Sequence, residues 1–335
     1  MSKYIYLLGA GASRGKRDTN AKGLDKYIEG MPVIKEIPAF LSDFCQSFRP
    51  RYVIGGMDMK IEHPCVYKEM CWLCDIAKDN STIDTYANML YSSSKVSELI
   101  RFKRALAIFF SLIQSREKRD KRYDSLMAHI HDGRGKIRSE VSIFTWNYDR
   151  QLEYALHAYD PTTSSTHQLK YSNISCKFLT DNFIDYNDSN VVKLNGTASF
   201  KSVEDSYLFK EDEYDIDVFE RIIRENDTKW VDGISYAWEE ANEFYDKILP
   251  LTSDTETLII IGYSMPIVNC VVDKKLLDGM KNLKSVVIQD INPNNVKTRL
   301  LNLLSPDIKK NVEGNILTET STDEFYVPLK LFFQR

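Results

Sequence analysis

Five short apolar runs punctuate the chain, at residues 4–8, 141–145, 191–194, 257–261 and 285–289. Each is rich in β-branched or aromatic side chains and ends in a turn or a polar residue, the signature of a strand. Their hydrophobicity is nearly continuous rather than alternating, as strands covered on both faces require. Between them lie stretches with helical spacing. The clearest is 96–113, where Leu99, Ile100, Phe102, Leu106, Phe109, Phe110 and Ile113 recur. Strands alternating with helices predict an α/β fold, a doubly wound Rossmann-like parallel sheet. The gap between the first two strands is long, and its pattern predicts a helical insertion or small subdomain over about 40–135, inside a single domain of 1–335. A second helical stretch is predicted over about 210–247, with Trp230 and Trp238 as core or interface residues.

Composition narrows this picture. The 335 residues are 43% hydrophobic and 27% charged, ordinary for a globular chain long enough for one large domain or two. The net charge of −4 argues against a broad nucleic-acid footprint, so direct nucleic-acid binding is not expected. The basic run 116–122 is interleaved with Glu117 and Asp120 and reads as a solvated helix end. Of six scattered cysteines, Cys71 and Cys74 have CxxC spacing, but no second pair follows as in a zinc ribbon; no metal is expected. With no disulfide framework, a reducing cytoplasm fits. The start of the chain lacks a basic leader, and the apolar run 258–272 is broken by Gly262, Pro266 and Asn269; no membrane association is expected.

The chemistry-bearing residues sit where the runs end. After the first comes Gly9-Ala10-Gly11-Ala12-Ser13, small residues that let backbone N–H groups approach a pyrophosphate. It is neither a full GxGxxG, since Arg14 holds the sixth place, nor a Walker A loop, since Arg17 follows Gly15-Lys16. A tight strand-to-helix turn without a ligand would use the same residues. After the second run stands Thr145-Trp146-Asn147-Tyr148-Asp149. The Asn147 amide suits a ribose hydroxyl or a water; Asp149 equally suits a helix N-cap. The third run ends in Asn195-Gly196, also a common hairpin signal. The fourth ends in Gly262-Tyr263-Ser264, and the fifth leads to Ile291-Asn292.

Taken in order, the five segments resemble the sirtuin superfamily, whose pattern is a GAG-type turn, a T-x-N-x-D strand end, an HG-type catalytic turn, a GxS turn and a late IN pair. Gly30-Met31-Pro32, Thr82-Ile83-Asp84-Thr85-Tyr86 and Arg122-Tyr123-Asp124 look like the sirtuin-like domains of bacterial antiphage defence. The resemblance covers about residues 3–295. It lacks the four-cysteine zinc module of the deacylases, which favours the branch that hydrolyses NAD to nicotinamide and ADP-ribose. The resemblance then implies NAD as substrate, with Gly9, Ala10, Gly11, Ala12 and Ser13 around the diphosphate. Asn147 and Asp149 would hold the water or ribose, beside Thr145 and Gly196, and Gly262, Ser264 and Asn292 would lie on the adenosine side. It also implies a switched effector of defence that depletes NAD, acting as a homo-oligomer or with a partner protein.

One position departs from the family. Asn195 stands where the HG turn carries its catalytic histidine, and none of the five histidines lies on that turn. An amide cannot serve as a general base, and loss of one costs about 10²–10⁴ in rate. Three readings stay open. Asn147 and Asp149 suffice for water attack, or Asn195 replaces a histidine and arrests the enzyme, or the chain is a non-catalytic NAD or ADP-ribose-derivative sensor. His167 is a further candidate that would have to swing in from the 160–190 loop. A vestigial pocket on a protein-interaction subunit is the remaining alternative, and the apolar C-terminal segment 323–335 would either pack on this domain or bind a partner.

Overall fold

All five apolar runs are strands of one parallel sheet in the computed structural model, which describes residues 2–47, 63–114, 119–132, 136–159, 174–176, 184, 186–202, 216–225, 230–236, 238–239 and 243–332. The strands are β1 (Tyr4–Leu8), β2 (Val141–Thr145), β3 (Ile174–Cys176), β4 (Val191–Lys193), β7 (Thr257–Ile261), β8 (Ser285–Gln289) and β9 (Ile316–Glu319), with β5 (Gly196–Ser202) and β6 (Trp230–Ile234) forming a separate pair. The helices are α1 (Ile37–Ser47), α2 (Pro64–Asp79), α3 (Ile83–Ser92), α4 (Val96–Gln114), α5 (Lys121–Ile130), α6 (Gln151–Tyr159), α7 (Ile216–Arg224), α8 (Glu243–Ile248), α9 (Cys270–Gly279), α10 (Pro293–Leu303), α11 (Pro306–Val312) and α12 (Leu329–Phe332).

The seven-stranded sheet runs β3-β4-β2-β1-β7-β8-β9 and every recorded pair in it is parallel. Strand order reverses between β1 and β7: the chain leaves β1 for β2 on one side and β7 for β8 on the other. Such a switch point opens a crevice outside the carboxyl ends of the strands, where ligands of open α/β sheets bind. Register matters as much as order. Leu8 is paired with Thr145 and Ile261, Thr145 with Lys193, and Ile261 with Gln289, so five strands end in one row. Ile5, Leu7, Phe144, Val192, Leu258, Ile260, Val286 and Ile288 form one buried cluster on one face of that sheet, and the residues between them, such as Tyr6, Leu8, Ile143, Ile259 and Val287, are buried too, which accounts for the unbroken hydrophobicity of the runs.

The chain divides into two compact units. The sheet-bearing unit comprises 1–15, 119–197 and 235–335; the other comprises 16–118 and 198–234. The helical stretch predicted at 40–135 is thus shared out, α1 to α4 in the second unit and α5 in the first. In the second unit Glu220 of α7 accepts from the Cys65 and Val66 amides at 2.9 Å, capping the start of α2 behind Pro64. Residues 105–114 of α4 are all buried, so this helix is a core element rather than a half-exposed one. Phe40 meets Phe109 edge to face at 5.7 Å. The Cys71–Cys74 segment lies in α2.

The stretch expected to be helical over 210–247 is corrected in its middle: Trp230 begins a strand, β6, between α7 and α8. Asn226-Asp227 break the helical pattern, and Trp, Val and Ile at 230, 231 and 234 favour a pleated surface once β5 offers an edge. The Asn195-Gly196 turn is not a hairpin either, because β5 pairs with β6 and not with β4. Among the described residues no helix is long and apolar enough to cross a membrane.

Candidate functional site at the carboxyl edge of the sheet

The five chemistry-bearing segments all leave the sheet from the row of strand ends, within the sheet-bearing unit. At its centre two glycine turns lock together. The Gly9 amide donates to the Ile261 carbonyl at 3.0 Å, the Gly11 amide to the Gly262 carbonyl at 2.9 Å, and the Ala12 amide back to Gly9 at 2.8 Å. A Cβ on Gly11 would lie 2.8 Å from the Gly262 Cα; one on Gly262 would lie 2.3 Å from the Ala12 nitrogen. Gly262 also has a φ of +58°, which disfavours any side chain. The glycines therefore serve turn-to-turn packing. At least three of the five amides of residues 9–13 are spent on protein carbonyls, fewer left over than the sequence pattern implied. Ala10 and Gly11 stay half-buried, and Ala12 and Ser13 are buried in a short 3-10 turn.

Ser13 is the hub of the site. Its hydroxyl lies 3.0 Å from Asn147 Nδ2, which donates to it, and 2.9 Å from the Tyr123 hydroxyl. The Asp149 carboxyl lies near it, close enough for Ser13 to pull that carboxyl down. With one proton and two lone pairs, the pattern closes when Ser13 donates to Asp149 and accepts from both Asn147 and Tyr123. Burial pushes the Asp149 carboxyl above the usual carboxylate range, while the Lys193 charge, the Gln151 amide and Ser13 pull it back. Burial likewise pushes the Tyr123 phenol up, as does the nearby Asp149 charge. Asp149 also accepts from the Gln151 amide at 3.0 Å, so it caps the start of α6 as well. Thr145 Oγ1 accepts from the Asn147 amide at 3.1 Å and fixes the turn between them.

Lys193, last residue of β4 and 1% exposed, donates to the Asp149 carbonyl at 2.5 Å and to Glu153 at 2.6 Å. A buried pair of this kind holds the backbone under Asp149 in one place. Next to it Asn195, also buried, has its Nδ2 3.5 Å from the Tyr148 hydroxyl, and its carbonyl accepts from the Ser235 amide at 3.0 Å. Gly196 has a φ of +73°. Ser264 and Asn292 are exposed at the far side of the row; the Ser264 carbonyl accepts from Arg299 at 2.6 Å, and Asn292 begins α10. The structure thus brings Ser13, Asn147 and Asp149 into one network and leaves Ser264 and Asn292 outside it.

Below the GYS turn lies a second polar cluster. Tyr263 donates to the Asp273 carboxylate at 2.7 Å, accepts from Asn269 at 3.1 Å, and stacks on Trp146 at 5.8 Å. Burial drives Asp273 up to about 7 against the pull of Tyr263 and the Trp146 indole. Sequence pattern alone missed Asp273 and the Lys193–Glu153 pair, and singled out Arg122 and Tyr123 only as part of the resemblance, with no role at the site. A lysine inside an otherwise apolar strand was the one signal for the pair. Arg122, read as part of a solvated end, instead points inward: it pairs with Asp120 at 2.5 Å and donates to the Ala12 carbonyl at 3.1 Å. Of the histidines, His129 hydrogen-bonds the Ser125 carbonyl at 2.7 Å and His63 lies 3.4 Å from Asp217; neither joins the Ser13 network. His167 lies outside the described residues.

No family model and no curated protein matches the chain. Solved structures that it is similar to include a Sir2 in complex with an inhibitor, 2′-O-acetyl-ADP-ribose and a deacetylated p53 peptide, at 12% identity over 96% of this chain and 88% of that one, TM-score 0.39. Another is a sirtuin described for its substrate affinity, at 13% identity over 95% and 88%, TM-score 0.39. A third is a Sir2 mutant with p53 peptide and NAD, at 13% identity over 96% and 88%, TM-score 0.38. The overlap is loose.

Proposed function

We propose that this chain binds NAD at the carboxyl edge of its sheet, as sirtuins do, and hydrolyses the bond between nicotinamide and ribose. One observation carries the reading: the five segments of the pattern leave the sheet from one row at the point where strand order reverses, with Ser13, Asn147 and Asp149 joined there. In the reaction a water oxygen bonds to the anomeric carbon as the C–N bond breaks. Nicotinamide departs neutral with the bonding electrons, and a proton is released. Because the leaving group is cationic in the substrate, no acid is needed. The protein's task is to hold the ribose and order the water. Ser13 fixes the plane of the Asn147 amide through Nδ2, leaving Oδ1 for a ribose hydroxyl or a water. Asp149, desolvated and therefore more basic than a surface carboxylate, stabilises the developing oxocarbenium charge. Ala10, half-buried, offers the turn's ligand contact while Ser13 positions Asn147 behind it, with Ser264 and Asn292 toward the adenosine. The whole chain would act as one domain with an inserted helical part, as an antiphage effector gated by self-assembly or a partner protein.

Asn195 supports a second reading, in which NAD or an ADP-ribose derivative binds without turnover. Its neighbour at 3.5 Å is the Tyr148 hydroxyl, and neither side chain is a base at neutral pH. Nicotinamide release by the purified protein decides between them, measured over hours beside Asn195→His and an Asn147→Ala/Asp149→Asn double variant. Release by the chain as it stands, lost in the double variant, is the expected outcome. Release by Asn195→His alone makes Asn195 the block. Release that survives the double variant would refute the assignment of Asn147 and Asp149.

A further inference from the structure

The segment after β9 returns across the sheet edge and is tied there at several points. The Gln289 side chain, buried at the end of β8, donates to the Ser321 carbonyl at 2.8 Å and the Glu324 carbonyl at 2.6 Å, and accepts from the Tyr326 amide at 2.9 Å. The Tyr6 hydroxyl donates to the Tyr326 carbonyl at 3.2 Å. Phe325 is buried between two residues of α5: its ring centroid lies 5.0 Å from the Arg122 guanidinium and 5.1 Å from the Tyr123 ring, edge to face. Those two residues are the ones that reach the glycine turn. Arg122 donates to the Ala12 carbonyl at 3.1 Å and to the Thr322 carbonyl at 3.0 Å, and Tyr123 meets the Ser13 hydroxyl at 2.9 Å.

We infer that residues 321–326 form a strap that sets the ligand turn, with Arg122 and Phe325 as positioning residues that transmit its docking to Ser13. The geometry is directional. A single guanidinium holds a strap carbonyl on one side and a turn carbonyl on the other, so neither can shift without breaking its bonds to the other. The Tyr123 phenol has its ring fixed by Phe325 and its oxygen fixed on Ser13, so loss of the strap frees the hydroxyl that completes the Ser13 pattern. Undocking would leave the sheet intact while loosening residues 9–13. The site would then be competent only with the strap in place, a control located at the end of the fold farthest in sequence from the turn. That this turn contacts NAD rests on the function proposed above; the coupling itself does not.

The full chain tests this with two variants. Gln289→Met removes three strap bonds and keeps the Gln289 carbonyl that accepts from the Gly262 amide at 2.9 Å, and Arg122→Met removes the link between strap and turn. Hydrogen–deuterium exchange reads residues 9–14 against α10 as internal reference, and NAD-induced stabilisation reads the site. Expected is at least about a tenfold faster exchange of 9–14 in both variants with α10 unchanged, and an NAD affinity lower by a similar factor. Arg122→Lys, which keeps a donor, recovers part of both. Unchanged exchange of 9–14 in both variants overturns the coupling. Faster exchange in a protein that shows no NAD stabilisation even as wild type leaves the strap standing and overturns the NAD reading instead.

Discussion

Asp273 is the residue whose chemistry departs furthest from its sequence context. It lies one turn into α9, is 1% exposed, and is pushed up to about 7 by burial, with the Tyr263 hydroxyl donating to it at 2.7 Å. Tyr245, itself raised by burial and by the Asp273 and Glu239 charges, lies close to it as well. A carboxyl whose folded pKa is raised stabilises the fold fully below about 4, its unfolded value, and loses that contribution as pH rises toward 7. Between pH 5 and 8 the loss should be on the order of 3 kcal/mol. An Asp273→Asn variant keeps the acceptor for Tyr263 and has no such slope. Urea unfolding of both proteins at pH 5 and pH 8 should therefore show the variant gaining on the wild type by that amount. A difference that stays constant with pH would mean the carboxyl is already hydrated or ionised. The same residue-scale logic explains what the sequence hid. Asp273 looks like any acid in an amphipathic helix until Trp146 and Tyr263, brought from two strand ends, enclose it. Lys193 was visible as an oddity, but its partner Glu153 lies on a helix 40 residues earlier and was not.

At the scale of elements the strands were the most legible feature, because a parallel sheet covered on both faces demands runs of Val, Ile and Leu that nothing else in the chain imitates. Four of the five predicted strands keep their bounds, and the other, at 191–194, stops at Lys193 because Leu194 enters the turn. The strands β3 and β9 and the β5–β6 pair were not legible, since polar residues such as Ser175, Asp232 and Thr318 interrupt them and the edge each meets, rather than an apolar run, fixes them. The glycine turn was legible as a motif but not as a contact. Its glycines face the Gly262 turn, a neighbour some 250 positions along the chain, and this yields a paired comparison. Gly262 and Gly23 have nearly equal left-handed φ values, +58° and +60°, yet a Cβ at Gly23 meets nothing within 4 Å. Gly23→Ala should cost about 1 kcal/mol, the backbone term alone. Gly262→Ala adds the overlap with Ala12 and should cost at least about 2 kcal/mol more. Equal losses in denaturant unfolding would show that the two turns separate freely and do not form one locked unit.

The whole molecule is threaded so that the site draws on three separate parts of the chain. The sheet-bearing unit is left after residue 15 and again after residue 197, each time just behind a turn of the site, and is re-entered at 119 and 235. The Ser13 network alone joins residues from the first two of its segments, and the GYS turn and strap add the third. A ligand that spans the row of strand ends would therefore touch all three and stabilise the unit as a whole rather than one loop. Mass action then sets the size of the effect. NAD at a hundredfold excess over its dissociation constant should add about 2.7 kcal/mol to the unfolding free energy. For a unit of this size that raises Tm by roughly 5–10 °C. ADP-ribose should act likewise, since it keeps the diphosphate and both riboses, whereas nicotinamide alone should do little. The order of the three ligands discriminates between readings more sharply than the magnitude. Stabilisation by NAD and ADP-ribose but not nicotinamide fits a site that grips the diphosphate and riboses. No shift with either up to about 10 mM would place any affinity outside a useful range and leave the row of turns as packing alone.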